Sequence, residues 1–263
     1  MAGRKILPIG NDDFRKLREN DAYYVDKTRM IKDFIEMKDE VALVARPRRF
    51  GKTLNMTMLR EFFDITKDSR DIFKRTGNYG YGICRADLIP ARSFYFTFKD
   101  CKGATLMNCC TLLSGICTGI LEIRKILRNK LDKDSFETRD FYEMIDVLRD
   151  PQANHGQYSF SIQMLTQFVK DSYGISPILL IDEYDQPIMS SHEYGYHDQL
   201  GQFFSNLYGS AMKGNPALGQ ALLTGVQRVA KESVFSQFNN ARVYTVLHKT
   251  YAPYFGLTAE ETE

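Results

Sequence analysis

Short apolar runs that stop abruptly at polar residues limit this chain to few folds. One run, Ile178–Ile181, ends at Asp182 and Glu183, and another, Val41–Ala45, ends at the loop Arg46–Thr53. Continuous runs of four or five aliphatic residues are typical of parallel strands that helices cover on both faces. Helical patterns separate the runs, so the sequence predicts an α/β fold in which strands and helices alternate.

Three further segments have strand character and bring the predicted sheet to about five strands. Ser93–Phe98 alternates and is rich in aromatic residues, while Gln220–Val226 and Ala241–Leu247 indicate buried strands. Asn11–Asp12 and Asp26 are predicted to cap two helices that precede the sheet. The predicted architecture is a three-layer α/β sandwich with a mostly parallel sheet.

The composition fits a soluble globular protein, with 43% hydrophobic and 26% charged residues in 263 positions. The five cysteines include no Cys-x-x-Cys pair, which predicts reduced thiols in a cytoplasmic protein. The uncharged stretch between Lys102 and Glu122 has too few apolar residues for a membrane-spanning helix, so no membrane partner is expected. The net charge of +2 does not indicate nucleic acid, and the basic stretch 124–133 is typical of a solvated helix face.

The loop after Val41–Ala45 carries the second half of a phosphate-binding motif. In GxxxxGK[ST], backbone N–H groups surround a phosphate, the lysine reaches the β and γ phosphates, and the hydroxyl binds Mg²⁺. A strand precedes this loop and an amphipathic helix follows, as that mechanism requires. The first glycine of the motif is replaced by Arg46. The residues predicted to bind the cofactor are Arg48, Arg49, Phe50, Gly51, Lys52, Thr53 and Leu54.

The arginines of the loop have two interpretations. Arg46, Arg48 and Arg49 either pair with carbonyls and carboxylates to hold a glycine-poor loop in shape, or one of them contacts a nucleotide phosphate. The sequence leaves both interpretations open.

The carboxylates after Ile178–Ile181 supply the chemistry that a bound triphosphate needs. In parallel α/β sheets, ligands lie beyond the carboxyl ends of the strands, so this strand directs both acids at the ligand crevice. Asp182 is predicted to hold Mg²⁺ through water, together with Thr53, and Glu183 to orient and deprotonate the attacking water. Asp185 either anchors the following loop or assists the metal, and the pattern does not separate these two roles.

Two residues near the next strand complete the predicted catalytic set of Lys52 and Glu183. Thr224 lies at the end of the strand Gln220–Val226, where a hydroxyl can sense the γ phosphate, although threonine is also an ordinary turn residue there. Arg228 follows and either approaches the phosphates or carries a solvated surface charge.

Five ordered strings resemble the AAA-ATPase-like family of bacterial and archaeal proteins. They are Tyr23–Ile31, Arg46–Thr53, Leu179–Pro187, Leu223–Asn240 and Tyr254–Glu261. In this family RPRRFGKT is the usual form of the loop, so the missing glycine agrees with the resemblance. The resemblance implies a P-loop ATPase core of the additional-strand type, in which the residues above have the roles argued for them.

The resemblance also implies a base site and a domain organisation. The segment Tyr23–Thr28 is expected to pack near the adenine, with Tyr24 and Val25 contacting ATP or ADP. Residues 1–250 are expected to form the P-loop domain, and residues 251–263 the start of a truncated C-terminal helical region. Family members usually continue into a lid and a PD-(D/E)XK-type nuclease, and we expect this chain to lack both.

Two functions from different classes follow. The first is Mg²⁺-dependent binding and hydrolysis of ATP, in which catalysis is mostly positioning and electrostatics. The alternative is a nucleotide-dependent switch with little turnover that controls a partner or a fused nuclease. The sequence leaves homo-oligomer formation and binding to nucleic acid open, although this chain by itself gives nucleic-acid binding no support.

Overall fold

A computed structural model describes residues 5–64, 68–74, 76, 93–101, 135–149, 159–227 and 240–262 of the chain. The predicted catalytic residue Arg228, the uncharged stretch after Lys102 and the basic stretch 124–133 lie outside these residues. Their roles stay predictions.

The strands form one parallel sheet, as the apolar runs predict. They are β1 Val41–Ala45, β2 Ser93–Thr97, β3 Ile178–Asp182, β4 Gln220–Gly225 and β5 Ala241–Tyr244. The spatial order is β2–β3–β4–β1–β5, and each of the four pairings is parallel. The strand before the GKT loop and the strand before the carboxylates are therefore separated by one inserted strand, β4. This confirms the predicted sheet of about five strands and its additional-strand arrangement.

Helices cover both faces of this sheet. They are α1 Phe14–Glu19, α2 Arg29–Met37, α3 Lys52–Phe63, α4 Arg70–Phe73, α5 Phe136–Arg149, α6 Ser161–Tyr173, α7 Gln186–Tyr194 and α8 His197–Met212. No helix within the described ranges is long and apolar enough to cross a membrane.

Alternation of side chains along each strand divides the core into two layers. On one face, Leu43, Ile181 and Leu223 pack with residues of α5 to α8. On the other face, Val44 and Leu180 pack with residues of α1 to α4. The three inner strands, β3, β4 and β1, are thus buried on both sides, which explains their largely apolar sequences and confirms the three-layer sandwich.

The first two helices begin later than their predicted caps. α1 is capped by Asp13, whose side chain accepts a backbone hydrogen bond within the first turn. α2 begins after Thr28, and Asp26 accepts from the N–H and the hydroxyl of Thr28 at 2.8 and 2.7 Å. The predictions of Asn11–Asp12 and Asp26 as caps were wrong because Asn and Asp side chains also bond the N–H two residues on.

The C-terminal segment folds back onto the layer that holds α1 to α4. β5 ends at Tyr244, and not at the predicted Leu247, because its partner β1 ends one residue after Val44, the residue that pairs with Tyr244. A 3-10 turn, Ala252–Tyr254, follows. Buried aromatic side chains in this turn and directly beside it join the core of α2 and α3: Tyr251, Tyr254 and Phe255. The predicted division at residue 250 stays a prediction.

Candidate functional site

The carboxyl ends of β1, β3 and β4 meet at one edge of the sheet. The register pairs Ala45 with Gly225 and Asp182 with Thr224, so the three strands end at the same level. Because the strands are parallel, the loop after β1 and the acids after β3 face a common crevice at this edge. Of the predicted catalytic and metal-binding residues, the structure places five along this crevice: Lys52, Thr53, Asp182, Glu183 and Thr224.

The loop between β1 and α3 is curled by residues in the left-handed backbone region. Arg49 has φ 69° and Gly51 has φ 73°. Left-handed residues within a turn direct successive backbone N–H groups toward a common concavity that suits an anion. Gly51 is also the N-cap of α3 and has no side chain to accept the first N–H groups of that helix. An anion at this position would accept those hydrogen bonds and interact favourably with the helix dipole.

Arg46, in the place of the first motif glycine, is part of the framework of the loop. The residue is only 2% exposed, and its guanidinium group donates through Nη1 to the carbonyls of Ala45 and Tyr244, both at 2.9 Å. The group also lies 5.7 Å from the ring centroid of Phe255. Burial lowers the pKa of Arg46 below its ordinary value. These contacts tie the loop to β5 and support the structural interpretation for this arginine.

Lys52 lies across the mouth of the loop. Its side chain is 5% exposed, and Nζ donates to the carbonyls of Arg46 at 3.1 Å and Pro47 at 3.0 Å. Burial lowers the pKa of Lys52, and the nearby charges of Glu183 and Asp182 oppose that shift. The ammonium group is therefore held by neutral acceptors in a crevice that also contains carboxylates, and a phosphate could replace the carbonyl contacts.

Asp182 is the centre of the hydrogen bonding in the crevice. Its Oδ2 accepts from the Thr53 hydroxyl at 2.7 Å and its Oδ1 from the Thr224 hydroxyl at 2.5 Å. The side chain is fully buried. Burial raises the pKa of Asp182, and the hydrogen bonds from Thr224 and Thr53 oppose the rise. The GKT loop and the β3 carboxylate are thus in direct contact.

Replacing Asp182 with Asn should leave the free energy of unfolding of the ligand-free protein unchanged or raise it by about 1 kcal/mol. Because the folded-state pKa of Asp182 is raised above its ordinary value of 3.8, its ionisation costs stability that is lost progressively as the pH rises above 3.8 and is fully lost above the raised pKa. The amide keeps the shape and can still pair with both hydroxyls. The advantage of the variant should therefore be present at neutral pH and vanish below the ordinary pKa of 3.8, where Asp182 is protonated in both the folded and the unfolded state.

Denaturant unfolding at acidic and neutral pH measures this difference in the free energy of unfolding. Asp100, exposed in the turn after β2 and changed to Asn, is the control and should show no such gain. A loss of more than about 2 kcal/mol at neutral pH in the Asp182 variant would contradict the expectation.

Glu183 stands beside this network in a strained conformation. Its φ is 54°, in the left-handed region that non-glycine residues rarely adopt. The side chain is half-buried, and burial together with the charge of Asp182 raises its pKa, while Lys52 opposes the rise. A residue held in such a backbone conformation at a cost of about 1 kcal/mol or more is a frequent mark of a functional site.

Asp185 is turned toward the segment that follows β4. Its Oδ2 accepts from the N–H groups of Val226 and Gln227, both at 2.8 Å. Of the two roles left open for Asp185, anchoring a loop is the one that these contacts support.

The other predicted cofactor-binding residues differ in their placement. Tyr24 packs edge-on against Phe14, and its hydroxyl donates to the Met58 sulfur at 3.4 Å, so this ring contacts α1 and α3. Val25 is half-buried beside it. The loop residues Arg48, Arg49 and Phe50 are exposed, and Leu54 is half-buried on α3. Contacts of Tyr24 and Val25 with adenine stay predictions.

Two features of the site were missed by sequence reasoning. Tyr95 on β2 places its hydroxyl 3.5 Å from Asp182 Oδ2, and the only signal for it is a polar tip within an otherwise apolar aromatic strand. The C-terminal segment also reaches the loop, because the Gly256 N–H donates to the Phe50 carbonyl at 3.1 Å and Asn55 Nδ2 donates to the Tyr254 carbonyl at 2.7 Å. No local pattern near Phe50 indicates that second contact.

Comparison with known proteins gives one family and one distant relative. The family described as Predicted AAA-ATPase matches residues 8–81 and 86–235, which include the loop, both carboxylates and Thr224. An uncharacterized protein in the vnfD 5' region of Azotobacter chroococcum mcd 1 is 27% identical over 239 residues, or 90% of this chain and 40% of that protein. The chain therefore spans about two-fifths of the length of this curated relative. No solved structure matches the chain.

Proposed function

The chain belongs to the AAA-ATPase-like family, and from this membership we propose that it binds ATP with Mg²⁺ and hydrolyses it. The observation that carries the proposal is the 2.7 Å hydrogen bond between the Thr53 hydroxyl and Asp182. It joins a phosphate-binding loop to a buried carboxylate from a strand that is not its neighbour in the sheet. A site for a metal-bound triphosphate needs these two parts side by side.

Thr53 and Asp182 have the chemistry that Mg²⁺ requires. Both offer oxygen atoms, the ligand type that this ion prefers. Their 2.7 Å hydrogen bond brings the two side chains together, so Thr53 would bind the ion and Asp182 would hold it through water. The bound ion would supply positive charge beside the β and γ phosphates.

The residues of the chain would then act in distinct roles. Lys52 and the N–H groups of the loop neutralise the β and γ phosphates, and the Thr224 hydroxyl would lie beside the γ phosphate. Glu183 accepts a proton from water while the water oxygen bonds to the γ phosphorus. The bond from that phosphorus to the β–γ bridging oxygen breaks, and ADP and phosphate leave. Arg48 and Arg49 are exposed residues of the loop that leads to Lys52, so either side chain could approach the phosphates.

Calorimetric titration with ATP, ADP and GTP, each with Mg²⁺ and with a chelator, tests the proposal. We expect ATP and ADP to bind, the chelator to weaken ATP binding, and phosphate release to stop without Mg²⁺. Turnover by this chain alone should be slow, because such sites often need an arginine from a lid or a neighbouring subunit. Absence of binding heat with every nucleoside triphosphate would end the proposal.

A second candidate function is a nucleotide-dependent switch, and the C-terminal contacts favour it. Because Gly256 and Tyr254 bond directly to the loop and to α3, a change in the loop on nucleotide binding would reach the C-terminal segment. Lys27 adds a tie, since its Nζ lies 2.5 Å from the Glu261 carboxylate and donates to the Pro253 carbonyl at 2.7 Å. ADP retained through purification, together with negligible phosphate release, would favour the switch over the enzyme.

A further inference from the structure

Several hydrogen bonds join the segment from β3 into α7 to the residues at the end of β4 and directly after it. The Thr224 hydroxyl donates to Asp182, and the Tyr184 N–H donates to the Thr224 carbonyl at 3.0 Å. The Tyr184 hydroxyl donates to the Gln227 carbonyl at 2.5 Å. Asp185 completes this set by accepting from two consecutive N–H groups. Residues 182–185 and 224–227 are therefore held together at several points, and not at one.

Asp185 makes these contacts instead of the hydrogen bond that usually caps a helix. It is the N-cap of α7, a position at which an aspartate side chain normally accepts from the N–H groups of its own helix. Here the side chain makes no cap hydrogen bond, and the buried carboxylate is directed to Val226 and Gln227. The local sequence therefore offers one partner and the tertiary structure uses another.

Gly225 has the space for this arrangement because it lacks a side chain. A Cβ atom at this position would lie 2.5 Å from the Tyr184 ring and 2.7 Å from Asp185 Oδ1, closer than side chains approach. The backbone at the end of β4 is thus packed directly against Tyr184 and Asp185. Small changes in either residue would shift Thr224, the neighbour of Gly225.

We propose that Asp185 is a positioning residue that holds the end of β4, and with it Thr224, in register with Asp182 and Glu183. This inference rests on the proposed function, because the register matters most when several groups must address one γ phosphate. A displacement of about 1 Å at such a site can lower the rate about a hundredfold. Asp185 acts through the backbone of Val226 and Gln227, and it does not bind the metal.

The test compares Asp185→Ala with Asp185→Asn. Ala removes the acceptor, whereas Asn keeps an oxygen that can accept from both N–H groups. For the Ala variant we expect kcat to fall by about tenfold to a hundredfold, with the dissociation constant for ATP and the Mg²⁺ concentration for half-maximal rate within about threefold of wild type. The Asn variant should recover most of the rate. Thermal unfolding checks that both variants are folded.

Several outcomes would overturn the inference. Unchanged kcat in the Ala variant would remove the positioning role, and an Asn variant as inactive as Ala with a raised Mg²⁺ requirement would make Asp185 a metal ligand. If the Ala variant does not fold, the Asp185→Asn and Tyr184→Phe variants are measured instead. Tyr184→Phe removes the hydrogen bond to the Gln227 carbonyl, and a wild-type kcat in this variant would contradict the inference.

Amide hydrogen exchange at Val226 and Gln227 separates this inference from the proposed function, because it needs no nucleotide. Both amides should be protected in wild type and in the Asn variant and should exchange at least about tenfold faster in the Ala variant. Equal protection in the two variants would overturn the positioning role even if ATP is hydrolysed. If wild type neither binds nor hydrolyses ATP while the exchange pattern holds, the proposed function alone has failed.

Discussion

Replacing Glu183 with Gln should lower the rate of phosphate release by about a hundredfold or more while leaving ATP bound. Gln keeps the size of the side chain, but its amide cannot take a proton from water at neutral pH. Lys52 and Thr53, on which ATP binding is proposed to depend, are unchanged. Steady-state phosphate release and calorimetric titration with ATP and Mg²⁺ measure the two quantities separately.

The pH dependence of the rate gives an independent check on Glu183. Its pKa is raised above the ordinary value of 4.5 by burial and by Asp182, and a general base must be ionised to act. Turnover should therefore be lost as the pH falls through that raised pKa, and the Gln variant should lack this acidic limb. Glu193, exposed on α7, is the matched control, and Glu193→Gln should keep both rate and profile. A wild-type rate in a Glu183→Gln protein that still binds ATP would exclude Glu183 as the base.

Replacing Lys52 with Met should weaken ATP binding by about thirtyfold or more. Loss of one partner of a buried charge pair typically costs at least about 2 kcal/mol, which corresponds to about a thirtyfold change in the dissociation constant. Met has a similar length, so the space between the loop and α3 stays filled. The lowered pKa of Lys52 means that burying its charge opposes folding at neutral pH. The melting temperature of the ligand-free variant should therefore be unchanged or higher.

Comparison of nucleotides makes the Lys52 prediction specific. The loss of affinity should be large for ATP and ADP and small for AMP, which lacks the phosphates that the ammonium group is proposed to contact. Lys213→Met, at the exposed end of α8, is the control for loss of one positive charge. Equal losses for ATP and AMP, or a lowered melting temperature, would indicate a structural role for Lys52 instead.

The residues that the sequence identified best are those whose chemistry demands a fixed local order. Gly51, Lys52 and Thr53 must be adjacent to form the end of a phosphate-binding loop, and Asp182 and Glu183 stand at the carboxyl end of a strand, where ligands bind in parallel α/β sheets. The structure brings Lys52, Thr53, Asp182 and Thr224 to one crevice, as the strand ends predicted.

Roles that depend on distant partners could not be predicted in the same way. Arg46 and Asp185 each had two open interpretations, because the partners that decide between them lie far along the chain. Arg46 donates to the carbonyl of Tyr244, 198 residues away, and Asp185 accepts from residues 41 and 42 positions on. The caps of α1 and α2 failed for a different reason, since two local hydrogen-bonding patterns compete for the same side chains.

The sequence alone determined which segments are strands, that an amphipathic helix follows the loop, and which side chains could bind phosphate, metal and water. Those properties depend on residue type and short spacing, which act before the chain is compact. The resemblance implied an additional strand in the sheet, and β4 is that strand, but only the tertiary structure decided that Asp182 meets both Thr53 and Thr224 and that the C-terminal segment contacts the loop. Strand order and such contacts result from packing two layers of helices onto one sheet, and no short stretch of residues encodes that packing.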